Sequence, residues 1–238
     1  MIIWLRWLKT IHAITLLFEG DILLARNVED ARKVNENGSR GAVIIGKPGF
    51  RWPKGEVYYT VNDPSLEVTV QQAIDHWMAN TPIKFLKRTD QVDFISFEKL
   101  EGCFSHVGRQ GGMQELSIGN GCSLGSAIHE IGHALGLWHE HTRNDRDQFV
   151  QIDMANVQPN QRHNFNKHIL DGQDVGPFDF ASIMMYSPFS FAVDKSKPTI
   201  RTLGGQPIGQ RNGLSKGDIK AIRMIYPTLD WSKFPDLI

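Results

Sequence analysis

The chain has 238 residues, 26 Lys+Arg against 26 Asp+Glu, 41% hydrophobic and 22% charged residues. This composition fits a globular protein with a sizeable core, in one domain or one bilobal domain, and leaves no basic excess for nucleic acid or an anionic membrane surface. No apolar run approaches the ~20 residues of a membrane-spanning helix.

Met1 to Phe18 is apolar-rich, but Arg6 and Lys9 interrupt it and no small-x-small cleavage site follows, so it reads as an incomplete or atypical export signal. Residues 25–41 are polar. They contain the sequon Asn37-Gly38-Ser39 and an exposed protease target, Gly38-Ser39-Arg40-Gly41. Val57-Tyr58-Tyr59-Thr60-Val61 predicts a strand and Asn62-Asp63-Pro64-Ser65 a turn. Val70, Ile74 and Trp77 then recur at helical spacing, which predicts an amphipathic helix over 66–79. Strands are expected at Ile83–Phe85 and Asp93–Phe97. Two more are expected at Gly102–Gly108 and Glu115–Ile118, joined through Gly111-Gly112. A helix follows over 124–136, with Ile128, Ile131 and Leu135 as core. The rest is less regular until a helix at 216–226. That helix has Ser215 as N-cap, Asp218 three residues on, an apolar face of Ile219, Ile222 and Ile225, and Pro227 as its stop, and it reads as packing rather than chemistry. The two cysteines, Cys103 and Cys122, are too few for a four-thiolate zinc site. They are either two buried thiols or one disulfide closing a loop worth about 3 kcal/mol.

The most informative stretch is His129-Glu130-Ile131-Gly132-His133-Ala134-Leu135-Gly136-Leu137-Trp138-His139-Glu140. His129 and His133 are four apart, so on a helix they share one face and can reach one metal ion. Gly136 can take φ > 0 and turn the chain so that His139 returns as a third ligand. Three neutral imidazoles leave a zinc ion one open position, the mark of a catalytic rather than a structural site. Glu130 is placed to act on water rather than on the metal. Neutral ligands also predict activity that falls as acid protonates them.

The extended motif resembles that of the metzincin metallopeptidases, and His139-Glu140-His141-Thr142-Arg143-Asn144-Asp145-Arg146-Asp147 narrows the resemblance to the astacin family. Ser182-Ile183-Met184-Met185-Tyr186 looks like that family's Met-turn. Arg51-Trp52-Pro53 and Gly102-Cys103-Phe104-Ser105-His106-Val107-Gly108 also look like family segments, and Phe18-Glu19-Gly20-Asp21-Ile22 like its propeptide signature. The resemblance spans roughly residues 42–226. It implies an α+β, bilobal metzincin-like fold: an N-terminal mixed twisted sheet with two long helices, and an irregular C-terminal half ending in a helix. The implied organisation is a propeptide at 1–41, a catalytic domain at 42–226 (subdomains 42–138 and 139–226) and a tail at 227–238.

By the same resemblance the chain is a secreted zinc endopeptidase with one catalytic Zn2+, acting on proteins or peptides. It is latent until a protease cleaves near Arg40–Ala42. His129, His133 and His139 are the ligands and Glu130 is the general base. Tyr186 is a resting ligand that later serves the oxyanion, and Asp21 fills the fourth position in the latent form. Met184 forms an apolar floor, Gly136 makes the turn, and Glu140 receives the new N-terminus. Cys103, Phe104, Ser105 and His106 form the edge that pairs with substrate, and Cys103–Cys122 becomes the favoured disulfide. The chain departs from the family in lacking cysteines for a second disulfide and in carrying Met185 where histidine is frequent. His12, His76, His106, His141, His163 and His168 are expected to be surface or satisfied core groups. A competing reading is a non-catalytic zinc- or peptide-binding module, which has no need of Glu130. Another metzincin branch is disfavoured by Glu140 and Tyr186.

Overall fold

The computed structural model describes residues 16–25, 48–167 and 173–234. The sequon, the expected cleavage region at Arg40–Ala42, His12 and His168 lie outside the described residues. The strands are β1 (Leu16–Phe18), β2 (Ile22–Ala25), β3 (Glu56–Val61), β4 (Lys84–Lys87), β5 (Phe94–Glu98), β6 (Cys103–Ser105), β7 (Met113–Ile118), β8 (Val150–Ile152) and β9 (Ile200–Thr202). The helices are α1 (Glu67–Asn80), α2 (Leu124–Leu135) and α3 (Lys216–Ile225). Among the described residues seven strands make one mixed sheet in the order β1-β2-β6-β7-β5-β3-β4, and β8 pairs with β9 in a second, two-stranded sheet. Strands β4, β3, β5 and β7 run parallel to one another, with β4 at one edge of the sheet, whereas β6 runs antiparallel to β7.

The physical pattern follows the sequence. In β3, Val57 and Tyr59 are buried and alternate with half-buried Tyr58 and Thr60. In β5, Ile95, Ser96 and Phe97 are all buried, as expected of a parallel strand covered on both faces. Helix α1 buries Val70, Ala73, Ile74 and Trp77, one stripe at i, i+3, i+4 and i+7. The Trp77 Nε1–H donates to the Ile128 carbonyl at 3.0 Å and ties α1 to α2. Helix α2 starts in a capping box of Ser123 with Ser126 and is buried almost throughout. A Cβ at Gly125 would overlap the Arg211 carbonyl, so only glycine lets that chain approach.

Among the described residues the core has three parts. The largest packs α1 and α2 on the sheet and also takes in Ile219, Ile222 and Ile225 of α3. The expected boundary at 139 is therefore one of sequence rather than of core: α3 returns to the first half, where the Tyr226 hydroxyl donates to the Leu135 carbonyl at 3.1 Å. A second cluster, with Val150, Phe165, Phe178, Met185 and Tyr186, supports the irregular half. A small third cluster joins Ile22 of the N-terminal segment to Val107 and Trp138, with Phe18 against it. Cys103 and Cys122 form the disulfide, with a sequence separation of 19 and Cα atoms 6.0 Å apart.

Candidate active site

Helix α2 carries His129 and His133 one turn apart with Glu130 between them, all buried. Gly136 closes the helix at φ 109°, its N–H reaching the Gly132 and His133 carbonyls. The reversal brings in His139, which is fully buried. Each ring is held from behind at Nδ1. His129 donates to the Ile183 carbonyl at 2.8 Å and His133 to the Leu137 carbonyl at 2.8 Å. His139 donates to the Glu19 carboxylate at 2.6 Å. These bonds select the tautomer that leaves Nε2 free to ligate.

The three Nε2 atoms converge on Asp21, 3.3 Å from His129, 3.7 Å from His133 and 3.2 Å from His139. One atom from each of the four residues lies within 4.8 Å of the others. Four tetrahedral ligands about 2.05 Å from zinc stand about 3.4 Å apart, so this donor set fits the ion. The Nε2 atoms of His129 and His133, Oδ1 of Asp21 and Oε2 of Glu130 are buried with no hydrogen-bond partner. Buried polar atoms in that condition call for a ligand. Burial pushes His129 down to about 4 and holds His133 well below its usual value. Burial alone would also depress His139, but the carboxylates of Asp21 and Glu19 lift it to about 9. Burial and the nearby Asp21 charge raise Glu130.

The remaining expected residues arrange around this centre. The Tyr186 hydroxyl donates to the Glu19 carbonyl, and its ring stacks on His141 with centroids 3.7 Å apart. Burial keeps that phenol well above its usual value and therefore protonated. Met184 lies under α2, where a Cβ at Gly132 would crowd its Sδ. The Glu140 carboxylate accepts from the Asp179 N–H at 2.8 Å and stands 3.4 Å from Arg143. It shares a cavity with Asp179 and Asp218. Burial pushes Glu140 up to about 8, although Arg143 opposes the rise.

The expected edge needs a correction. The strand ends at Ser105, because the Ser105 hydroxyl donates to the His106 carbonyl and Gly108 N–H then bonds the His133 carbonyl. His106 lies past it, and in this form β2 covers the edge in parallel, with Ser105 N–H donating to the Asp21 carbonyl at 2.9 Å.

Four contributors escaped sequence reasoning. Arg211 and Phe191 line the same cavity as His129, Glu130 and Asp21 from the irregular half, and no local pattern marks them. His141 is not a satisfied core group: Nε2 bonds the Asn164 carbonyl at 3.0 Å, while Nδ1 is buried without a partner. Asp218 does more than cap a packing helix, since it accepts from Ser182 Oγ at 2.6 Å and Ile183 N–H at 2.9 Å. It thereby fixes the turn whose carbonyl orients His129.

Residues 45–227 match the model of the peptidase family described as Astacin. High choriolytic enzyme 1 of Oryzias latipes is 42% identical over 222 residues, covering 89% of this chain and 78% of that protein. Bone morphogenetic protein 1 of Xenopus laevis is 40% identical over 195 residues, covering 76% of this chain and 27% of that protein. Among solved structures, high choriolytic enzyme 1 from Oryzias latipes, a hatching enzyme zinc-protease, superposes with a TM-score of 0.73 at 36% identity, covering 79% of this chain and 99% of that one. Myroilysin, at a TM-score of 0.56 and 22% identity, covers 77% of this chain and 98% of its own and shares the fold.

Proposed function

The chain belongs to the astacin family of peptidases, and from that premise we propose that this structure is the latent form of its zinc endopeptidase. Residues 1–41 act as the pro-segment, 42–226 as the catalytic domain with subdomains 42–138 and 139–226, and 227–238 as a tail. The observation that carries the reading is the Asp21 carboxylate, seated 3.2–3.7 Å from the three ligand nitrogens. A carboxylate in the fourth position excludes the water that hydrolysis requires.

His129, His133 and His139 hold the ion, and zinc bound there supplies a Lewis acid for water and for the scissile carbonyl. Glu130 takes the proton from water and later delivers it to the leaving amine. Tyr186, released from the Glu19 carbonyl, would be a further resting ligand of the ion and, once swung away, would stabilise the oxyanion with a hydrogen bond from its phenol. Met184 floors the site and Gly136 sets the turn to His139. Once β2 leaves, the edge at Cys103, Phe104 and Ser105 offers main-chain hydrogen bonds to an extended peptide, which demands little of its sequence.

An activating protease cleaving near Arg40–Ala42 releases an ammonium that enters the acidic cavity of Glu140, Asp179 and Asp218. The crowding of carboxyls around Glu140 there supports the assignment. The Cys103–Cys122 disulfide supports a secreted protein. Among the described residues no helix is long and apolar enough to cross a membrane.

The test compares casein hydrolysis by the chain starting at Ala42 with the same chain carrying Glu130→Gln, both zinc-loaded. We expect the substitution to cost about 10²–10⁴ in rate; equal activities would overturn the assignment of the base. Full-length Asp21→Ala should gain casein hydrolysis over the uncut wild type without cleavage, and an intact, zinc-loaded Asp21→Ala protein no more active than uncut wild type would overturn the block by Asp21.

A further inference from the structure

Two of the three ligand histidines are oriented by the catalytic half itself, through the carbonyls of Ile183 and Leu137. The third is not. His139 lies beyond the Gly136 turn in extended backbone, at φ −74° and ψ 137°, so no helix fixes its ring. Its Nδ1 partner is the Glu19 carboxylate at 2.6 Å, with both side chains fully excluded from solvent. We propose that Glu19 is a positioning residue for zinc, a second hold of the pro-segment on the metal centre, which orients His139 from behind while Asp21 faces the ion. The proposal rests on the latent-peptidase reading above.

A carboxylate behind a ligating imidazole is a stronger acceptor than a carbonyl, and it raises the basicity of the nitrogen that binds the metal. The backbone around Glu19 is shaped to deliver it. Glu19 itself sits at φ 51°, a region that side chains other than glycine seldom adopt, and Gly20 follows at φ 83°. A Cβ at Gly20 would overlap the Phe191 ring, so that ring seats the turn. The Glu19 carbonyl accepts from Tyr186, and the Asp21 carbonyl accepts from Ser105. The turn is therefore held from four sides, and its two carboxylates reach opposite nitrogens of one imidazole, since Asp21 stands 3.2 Å from Nε2 of His139. Removal of the pro-segment takes both away together. The latent chain accordingly holds zinc more tightly than Asp21 alone explains, and the difference belongs to Glu19.

The experiment uses the zinc-loaded full-length chain, uncut, as wild type, Glu19→Gln, Glu19→Ala and Asp21→Asn. The first measurement is the rate of zinc transfer to a chromophoric chelator. Glu19→Ala should release zinc about 10–100-fold faster, the usual effect of losing a partner behind a ligand. Glu19→Gln keeps the shape and an acceptor oxygen and should fall between it and wild type. The second measurement is the downfield proton resonance of an imidazole Nδ1–H bonded to carboxylate. It should shift in both Glu19 variants and persist in Asp21→Asn. Accelerated release in Asp21→Asn with wild-type release in both Glu19 variants would overturn the role of Glu19 and leave latency standing. Wild-type release in all three would overturn both. Casein hydrolysis by uncut Glu19→Gln with zinc release and the Nδ1–H resonance both as in wild type would show that Glu19 only docks the turn, and would likewise overturn the proposal.

Discussion

Asp218→Ala measures how far the last helix supports the site. Asp218 is buried at the third position of α3 and accepts three hydrogen bonds: from Ser182 Oγ at 2.6 Å, Ile183 N–H at 2.9 Å and Ser215 N–H at 2.9 Å. Burial raises its carboxyl above the usual range, although those donors oppose the rise, so the carboxylate's own desolvation offsets part of what it contributes. In the alanine variant the half-buried Ser215 N–H can turn to water. The Ser182 hydroxyl and the Ile183 N–H cannot, and two buried unsatisfied donors at about 1.5 kcal/mol each give ~3 kcal/mol, or roughly 10² in the folding equilibrium. Because the Ile183 carbonyl is the Nδ1 partner of His129, the same variant should also retain less zinc. Urea unfolding of the metal-free chain reads the first effect and zinc per chain after dialysis the second. A loss below about 1 kcal/mol with full zinc retention would refute the coupling of α3 to the ligand helix.

Reduction-proof Cys103→Ser with Cys122→Ser should lose about 3 kcal/mol in the chain-entropy treatment of a loop of this length, read by urea unfolding against the oxidised parent; an unchanged midpoint would contradict it. Arg143→Lys should cost more than about 2 kcal/mol, because the buried guanidinium bonds Asp145 through two nitrogens and also reaches the Val175 and Gly176 carbonyls, a fork that an ammonium cannot reproduce. Thermal unfolding of the two proteins checks this. Removal of the N-terminal segment should uncover Trp138, 8% exposed against Ile22 and Val107. A red shift in its emission is expected, absent from a Trp138→Phe control. Chelation should abolish casein hydrolysis by the activated chain and added zinc should restore it; activity that survives full metal removal would refute the metal's role.

Local spacing was enough to bring the two histidines of α2 to one face. On a helix of 3.6 residues per turn His129 and His133 share a face, and Gly136 can take the φ > 0 that ends the helix, because these follow from backbone geometry. The same holds for the stripe of α1 and the capping box of Ser215 with Asp218, which are contacts within a few residues. Edges, cavities and partners across long separations were not legible in this way. Nothing in the sequence says that Arg211 and Phe191 face Glu130, that Asp218 steadies His129, or that β2 covers β6. Glu19 is the sharpest case. As a sequence it is one acidic residue beside the aspartate that draws attention. Only the fold brings it to within 2.6 Å of His139, 120 positions away, because which side chain fills a space behind a ring is decided by packing in three dimensions, whereas which residues share a helix face is decided by the chain's own period.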